Sequence, residues 1–229
     1  MSKSQFCPVS KAMEILGERW TILLIRELVL GSTRFNQLQR GLRMMSPSLL
    51  TRRLSMLVDE GLVIKRKIPG QKGYEYFPSE SCMELLPVIE HLSQWGMRWA
   101  RGQMDDDDLD LDLLMLHLPR NLNCKKLVGR ETVIRFNFDD VHTFPSWWLV
   151  VEGEEVDVCV HEPGKEVDVY MNTSLRTMTE IWMGDTSYKQ AMADKKLTVV
   201  GIPLLTKNID SWMPVSAFAG IRPALGCKR

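Results

Sequence analysis

Thr33 to Phe77, TRFNQLQRGLRMMSPSLLTRRLSMLVDEGLVIKRKIPGQKGYEYF, reads as helix, tight turn, second helix and basic hairpin. The second helix follows from its residues. Ser46 is a good N-cap, because its hydroxyl can accept an orphan backbone N–H, and Pro47 suits the first helical position. Leu50, Leu54, Leu57 and Val58 recur at helical spacing and predict one buried stripe. Ser48, Thr51, Arg52 and Ser55 fall on the opposite face with Arg53 on its flank, and Gly61 stops the helix after Asp59 and Glu60. Small hydroxyls beside an arginine can approach base edges closely and still hydrogen-bond to them. The alternative is an ordinary solvated helix face.

The following residues favour the first reading. Leu62 to Ile68 predicts a strand carrying Lys65, Arg66 and Lys67; Tyr74 to Phe77 predicts its returning partner, with a turn at Pro69-Gly70-Gln71-Lys72-Gly73. A cationic hairpin beside such a helix suits a phosphate backbone, where each contact adds salt-sensitive affinity. From Arg34 to Lys72 there are nine cations and two acids. Double-stranded DNA is therefore the expected partner. The expected contact residues are Arg34, Ser46, Ser48, Thr51, Arg52, Arg53, Arg66, Lys67 and Lys72.

The zero net charge of the 229-residue chain conceals two opposite halves. Residues 1–103 hold 15 Lys/Arg and 9 Asp/Glu, net +6, and residues 104–229 hold 14 and 20, net −6. The basic half can bind a polyanion that the acidic half repels. No apolar run has the length of a membrane span and no signal-peptide core follows the first residues, so a cytoplasmic protein without membrane contact is expected. Cys7, Cys82, Cys124, Cys159 and Cys227 are scattered and odd in number, fitting neither a disulfide framework nor a zinc site. The aspartate run at 105–112 lacks the glycine turn and terminal glutamate of a calcium loop, and reads as an extended linker. His117, His142 and His161 are isolated in sequence, and no nucleophile elbow, phosphate loop or dinucleotide turn is present. The expectation is a non-enzyme with no cofactor and no metal.

Two helices broken at Gly17 are expected over residues 8–30. Val9, Met13 and Leu16 stripe the first and Trp20, Leu23, Leu24, Leu28 and Val29 the second, as core. Phe35 to Gly41 predicts the short helix before the turn. A single long helix is expected over 80–101, with Met83, Leu86, Ile89, Leu92, Trp95 and Trp99 on one broad side. One small domain does not easily bury two helices this apolar, so a homodimer is expected. Residues 1–103 thus form a DNA-binding and dimerisation domain, 104–112 an acidic linker, and 113–229 a second domain. In the latter the pattern predicts a helix at Leu113–Leu118 and strands at Thr132–Phe138, Trp147–Val151, Val156–Val160 and Val167–Met171. Helices at Leu175–Met183 and Ser187–Asp194, a strand at Leu197–Val200 and a helix at Pro203–Met213 follow, an α+β order.

Cys7-Pro8-Val9, Gly17-Glu18-Arg19-Trp20-Thr21, Arg34-Phe35, Ser46 to Leu54 and Glu60-Gly61-Leu62-Val63 resemble the HxlR-type winged helix-turn-helix regulators, relatives of the MarR group. The resemblance spans residues 5–101. It implies a homodimeric transcriptional regulator whose second helix of the pair enters the major groove. Residues 130–218 resemble the sterol-carrier-protein-2-like α+β sandwich, through Val167 to Met171, Thr177 to Asp185, Ala191-Met192 and Leu197 to Gly201. That implies an apolar small-molecule effector near Met171, Met178, Trp182 and Met192, residues that equally suit a packed core. The alternative implied by the first family is a thiol-based redox or electrophile sensor using Cys7, with the second domain as an interaction module.

Overall fold

The structure, a computed structural model, describes residues 6–101 and 105–224. Gln103 and Met104, at the expected domain boundary, and Cys227 lie outside the described residues. The chain divides into two compact units, residues 1–93 and 94–229, with the division inside a helix rather than after it.

The first unit is built from α1 (Pro8–Leu16), α2 (Thr21–Val29), α3 (Phe35–Gly41), α4 (Pro47–Asp59), β1 (Val63–Lys67), β2 (Tyr74–Pro78), α5 (Glu80–Met83) and the start of α6 (Leu86–Trp99). Its core gathers Leu24, Ile25 and Leu28 of α2, Leu38 of α3 and Leu50, Leu54 and Leu57 of α4, all essentially inaccessible to water. The ends of α4 are fixed locally. Ser46 Oγ accepts the Leu49 N–H at 3.3 Å. At the other end Gly61, at φ +73, lets its own N–H reach the Val58 carbonyl and the Leu62 N–H reach the Leu57 carbonyl. This is a Schellman stop that a side chain at residue 61 would strain. Buried Glu27 fixes the helix pair: Arg26 Nε donates to its carboxylate at 3.0 Å and the Ser32 hydroxyl at 3.4 Å, while Arg26 also reaches the Gly41 carbonyl. Gly41 is required there, because a Cβ would stand 2.5 Å from the Glu27 carboxyl carbon.

Two expectations for this unit change. α1 buries none of its residues: Val9 and Met13, expected in the core, are exposed, and only Leu16 of that stripe packs against the cluster. Leu23 of α2 is likewise exposed. The single helix expected over 80–101 is two helices. Pro87 lacks the N–H that would bond to the Met83 carbonyl, so the helix is interrupted at residues 84–85.

The second unit holds α7 (Leu111–Arg120), a 3-10 turn (Cys124–Lys126), β3 (Glu131–Phe138), β4 (Ser146–Glu152), β5 (Glu155–Cys159), β6 (Val169–Thr173), α8 (Leu175–Met183), α9 (Tyr188–Ala193), β7 (Leu197–Gly201), α10 (Pro203–Lys207) and α11 (Ile209–Trp212). The helix expected over 203–213 is thus two short ones meeting at Asn208. The strands form one mixed sheet in the order β5-β4-β3-β6-β7, parallel only between β3 and β6. Ile134, Phe136, Leu149, Val169 and Met171 face the helices, where Met115, Met178, Ile181, Tyr188 and Trp212 complete a large core. The opposite face carries a smaller cluster of Val133, Trp148 and Val150, with Cys159 and Val167 against it. The strand expected to start at Val167 starts at Val169. Asp168 accounts for the difference: its carboxylate accepts the Val133 N–H at 2.8 Å and its own N–H donates to the Val133 carbonyl, so the β6 ladder begins one residue later at Ile134–Val169.

Candidate nucleic-acid interface

On α4 the buried leucine stripe leaves Ser48, Thr51, Arg52 and Ser55 exposed, as the spacing required. The Ser46 and Ser48 hydroxyls lie 3.2 Å apart at the helix start. Thr51 donates its hydroxyl proton to the Pro47 carbonyl at 2.9 Å, which leaves its oxygen free to accept. Arg52 is exposed, with no ion-pair partner among the described residues. Its planar donor fork is therefore unspent, and bidentate contact with a guanine edge or a phosphate is open to it. Gln39 holds the turn before α4 by donating to the Met45 carbonyl at 2.6 Å. Met44 in that turn is 78% exposed, a large apolar side chain at the start of the helix that periodicity did not single out.

Arg53 corrects the expectation. Its side chain is only 9% exposed, its guanidinium is paired with Glu18, and a second nitrogen lies 3.6 Å from the Met56 sulfur. It ties α4 to the loop between α1 and α2 and does not project with Arg52. Arg34 is only partly available. It flanks α3 as the N-cap residue and pairs with Glu75 at 3.0 Å, with its side chain 41% exposed.

The wing is a β1–β2 hairpin with Lys65 opposite Tyr76, Arg66 opposite Glu75 and Lys67 opposite Tyr74. The Tyr76 N–H donates to the Thr33 carbonyl at 2.8 Å, and an isolated bridge joins Arg34 to Glu75, so the residues before α3 act as a short third strand. α4 packs on β1, which sets the hairpin against the helix. Lys65 lies 4.0 Å from the Tyr74 ring centre and Arg66 5.0 Å from that of Phe77; these cation–π contacts hold the cationic heads at the hairpin surface. Lys67 and Lys72 are exposed, with no ion-pair partner among the described residues. The structure thus brings Ser46, Ser48, Thr51 and Arg52 together on one exposed helix, and Arg66, Lys67 and Lys72 on the adjoining wing. The role of Tyr74 and Phe77 as platforms was legible only once the register was known.

The remaining expected residues sit elsewhere. Met171 and Met178 are fully buried in the core of the second unit, while Trp182 and Met192 are half-buried at its margin. Trp182 lies 6.4 Å from the His117 ring. Cys7 is the N-cap residue of α1, half-buried and making no side-chain cap bond. Cys82 is fully buried, and desolvation pushes its thiol from 9.0 up to about 11. Among the described residues no cluster of His, Cys, Asp or Glu could hold a metal ion, and no helix is long and apolar enough to cross a membrane.

Comparison with known proteins agrees with this geometry. The HxlR-like helix-turn-helix family model matches residues 15–104, and the SCP-2 sterol transfer family model matches residues 117–210. The HTH-type transcriptional regulator YvaP of Bacillus subtilis is 34% identical over 101 residues, a match covering 43% of this chain and 94% of that protein. An HTH-type transcriptional regulator of Mycobacterium tuberculosis strain H37Rv is 40% identical over 89 residues, covering 38% of this chain and 56% of its own length. The chain thus spans nearly all of the first and about half of the second. Among solved structures, a putative MarR-family regulator from Porphyromonas gingivalis W83 has a TM-score of 0.38 at 28% identity, covering 42% of this chain and 96% of that one. The reduced form of the regulator YodB from B. subtilis has a TM-score of 0.36 at 26% identity, covering 44% and 100%. With the helix pair, the wing and the relatives in agreement, the chain belongs to the HxlR-like helix-turn-helix family of transcriptional regulators and carries an SCP-2 family domain after it.

Proposed function

We propose that the protein is a homodimeric, sequence-specific DNA-binding regulator whose second unit binds an apolar small molecule and so controls operator affinity. The observation that carries the DNA reading is the exposed α4 face of hydroxyls and Arg52 beside a wing with free cations. Dimerisation is supported by α6, where Val88, Leu92 and Trp95 recur at spacings of four and three and are all about half exposed or more. That stripe needs a partner, and a second copy supplies an equivalent one. Phe6, Val9 and Met13 on and before α1 add further exposed apolar surface.

The effector reading rests on the SCP-2 family match and on an apolar core rich in methionine, whose flexible side chains repack at low cost. A ligand acts on DNA binding only through different affinities for two states of the protein, and the coupling is reciprocal. An apolar fluorophore should bind the full-length protein saturably and change its operator affinity. Operator DNA should change fluorophore affinity by the same factor. Saturable binding without reciprocity reduces the second unit to a carrier or interaction domain; absence of saturable binding removes the effector.

A further inference from the structure

Residues 42–45 form the turn between α3 and α4, and two of them hold it in place. Leu42 and Met45 are buried in the core of the first unit, the Met45 N–H donates to the Leu42 carbonyl at 2.8 Å, and Gln39 clamps the Met45 carbonyl. Met44 between them takes no part in that core and stands 78% exposed, two residues before the Ser46 cap of α4. We propose that Met44 is a specificity-determining residue whose side chain covers the C5-methyl group of a thymine in the major groove. The inference rests on the reading of α4 as the helix that meets base edges, and adds one base preference to it.

Single exposed apolar side chains are ordinary on a protein surface, so position carries the argument. In helix-turn-helix proteins the N-terminal residues of the second helix contact base edges. Met44 lies just ahead of those residues, in the same exposed stretch as Ser46 and Ser48, whose hydroxyls are 3.2 Å apart. Any surface of DNA that meets this stretch also meets Met44.

The major-groove edges of the base pairs present donors and acceptors, together with a single apolar group, the thymine C5-methyl. A thioether chain has no hydrogen-bond donor and only a weak acceptor. Against a cytosine or adenine amine it leaves that donor without a partner, which costs affinity. Against the thymine methyl it gains contact and loses nothing. The preference is thus built from repulsion as well as attraction. The Ser46 and Ser48 hydroxyls do not supply it, because a hydroxyl both donates and accepts and tolerates several base edges. The unbranched Met44 side chain adjusts to the methyl, while the clamped turn beneath it fixes where the chain begins.

The test uses the full-length protein and the duplex it enriches most from a randomised pool, with each thymine replaced in turn by deoxyuridine, which lacks the methyl group. At one thymine of a half-site the replacement should weaken binding about fourfold, the effect of uncovering one buried methyl. Met44→Ala should weaken binding to the unmodified duplex by at least as much, and on this variant the same replacement should cost less than about 1.5-fold. Met44→Leu should retain the methyl's effect, and Met44→Gln, of similar length, should lose it. Since the position is exposed, all three variants should keep the melting temperature and sedimentation of the wild type. The proposal is overturned if no thymine shows a methyl effect, or if the effect survives unchanged in Met44→Ala. It is equally overturned if Met44→Ala alters sedimentation, which would assign the side chain to a protein interface. Failure of the wild-type protein to enrich any duplex would remove the DNA reading itself, whereas an enriched site that Met44→Ala leaves intact at every position keeps that reading and removes this one.

Discussion

Truncating Arg52 and Arg53 to alanine separates the roles of adjacent arginines on α4. Arg52→Ala should weaken operator binding more than random-duplex binding, because a bidentate base contact is worth about 1–3 kcal/mol of discrimination. Equal losses on both, read by fluorescence anisotropy, would reassign Arg52 to the phosphate backbone. Arg53→Ala should instead lower thermal stability by roughly 1–3 kcal/mol, from the lost charged hydrogen bond to half-exposed Glu18, with operator selectivity unchanged. Lys67→Ala should lower affinity evenly across sequences and flatten the log–log salt slope by about one unit; an unchanged slope would take the wing off the contact surface. The difference between the two arginines was not legible beforehand. Helical spacing placed Arg53 on the flank of the exposed face, and its burial depends on Glu18, 35 residues earlier in the chain.

At the level of elements, signals carried within a few residues were read well. Ser46, Pro47 and Gly61 marked α4, because caps and stops act through neighbouring backbone groups. The strand pair of the wing and α8 (Leu175–Met183) came out at or within a residue of their expected bounds for the same reason. The interruption before α6 was also written locally, in Pro87, but the strength of the apolar stripe around it hid the signal. Features set by distant partners were not readable: the start of β6 depends on Asp168 meeting Val133. The α1 stripe shows the remaining limit, since periodicity identifies an apolar face without saying what covers it. For α6 the covering partner can be tested. Trp95→Asp with Trp99→Asp changes side chains that are 60% and 48% exposed, so the fold should survive while the dimer does not. Sedimentation should report monomers with native circular dichroism and lost operator binding. A double variant that stays dimeric would move the interface away from α6, with the exposed residues of α1 as the next place to look.

For the whole molecule, the segregation of charge matches the proposed division of roles. The half with net +6 carries the helix and wing proposed to meet DNA, while the half with net −6 would be repelled by the same polyanion. A dimer of such chains presents two copies of α4, so the DNA it prefers should mirror its symmetry. Selection of duplexes from a randomised pool by the full-length protein tests this most directly. The account predicts enrichment of a two-fold-symmetric site with half-sites about 10–10.5 base pairs apart, centre to centre, or a multiple of that spacing, and loss of that enrichment with Arg52→Ala. No enrichment at low salt, or enrichment of a single asymmetric site unaffected by Arg52→Ala, would contradict it.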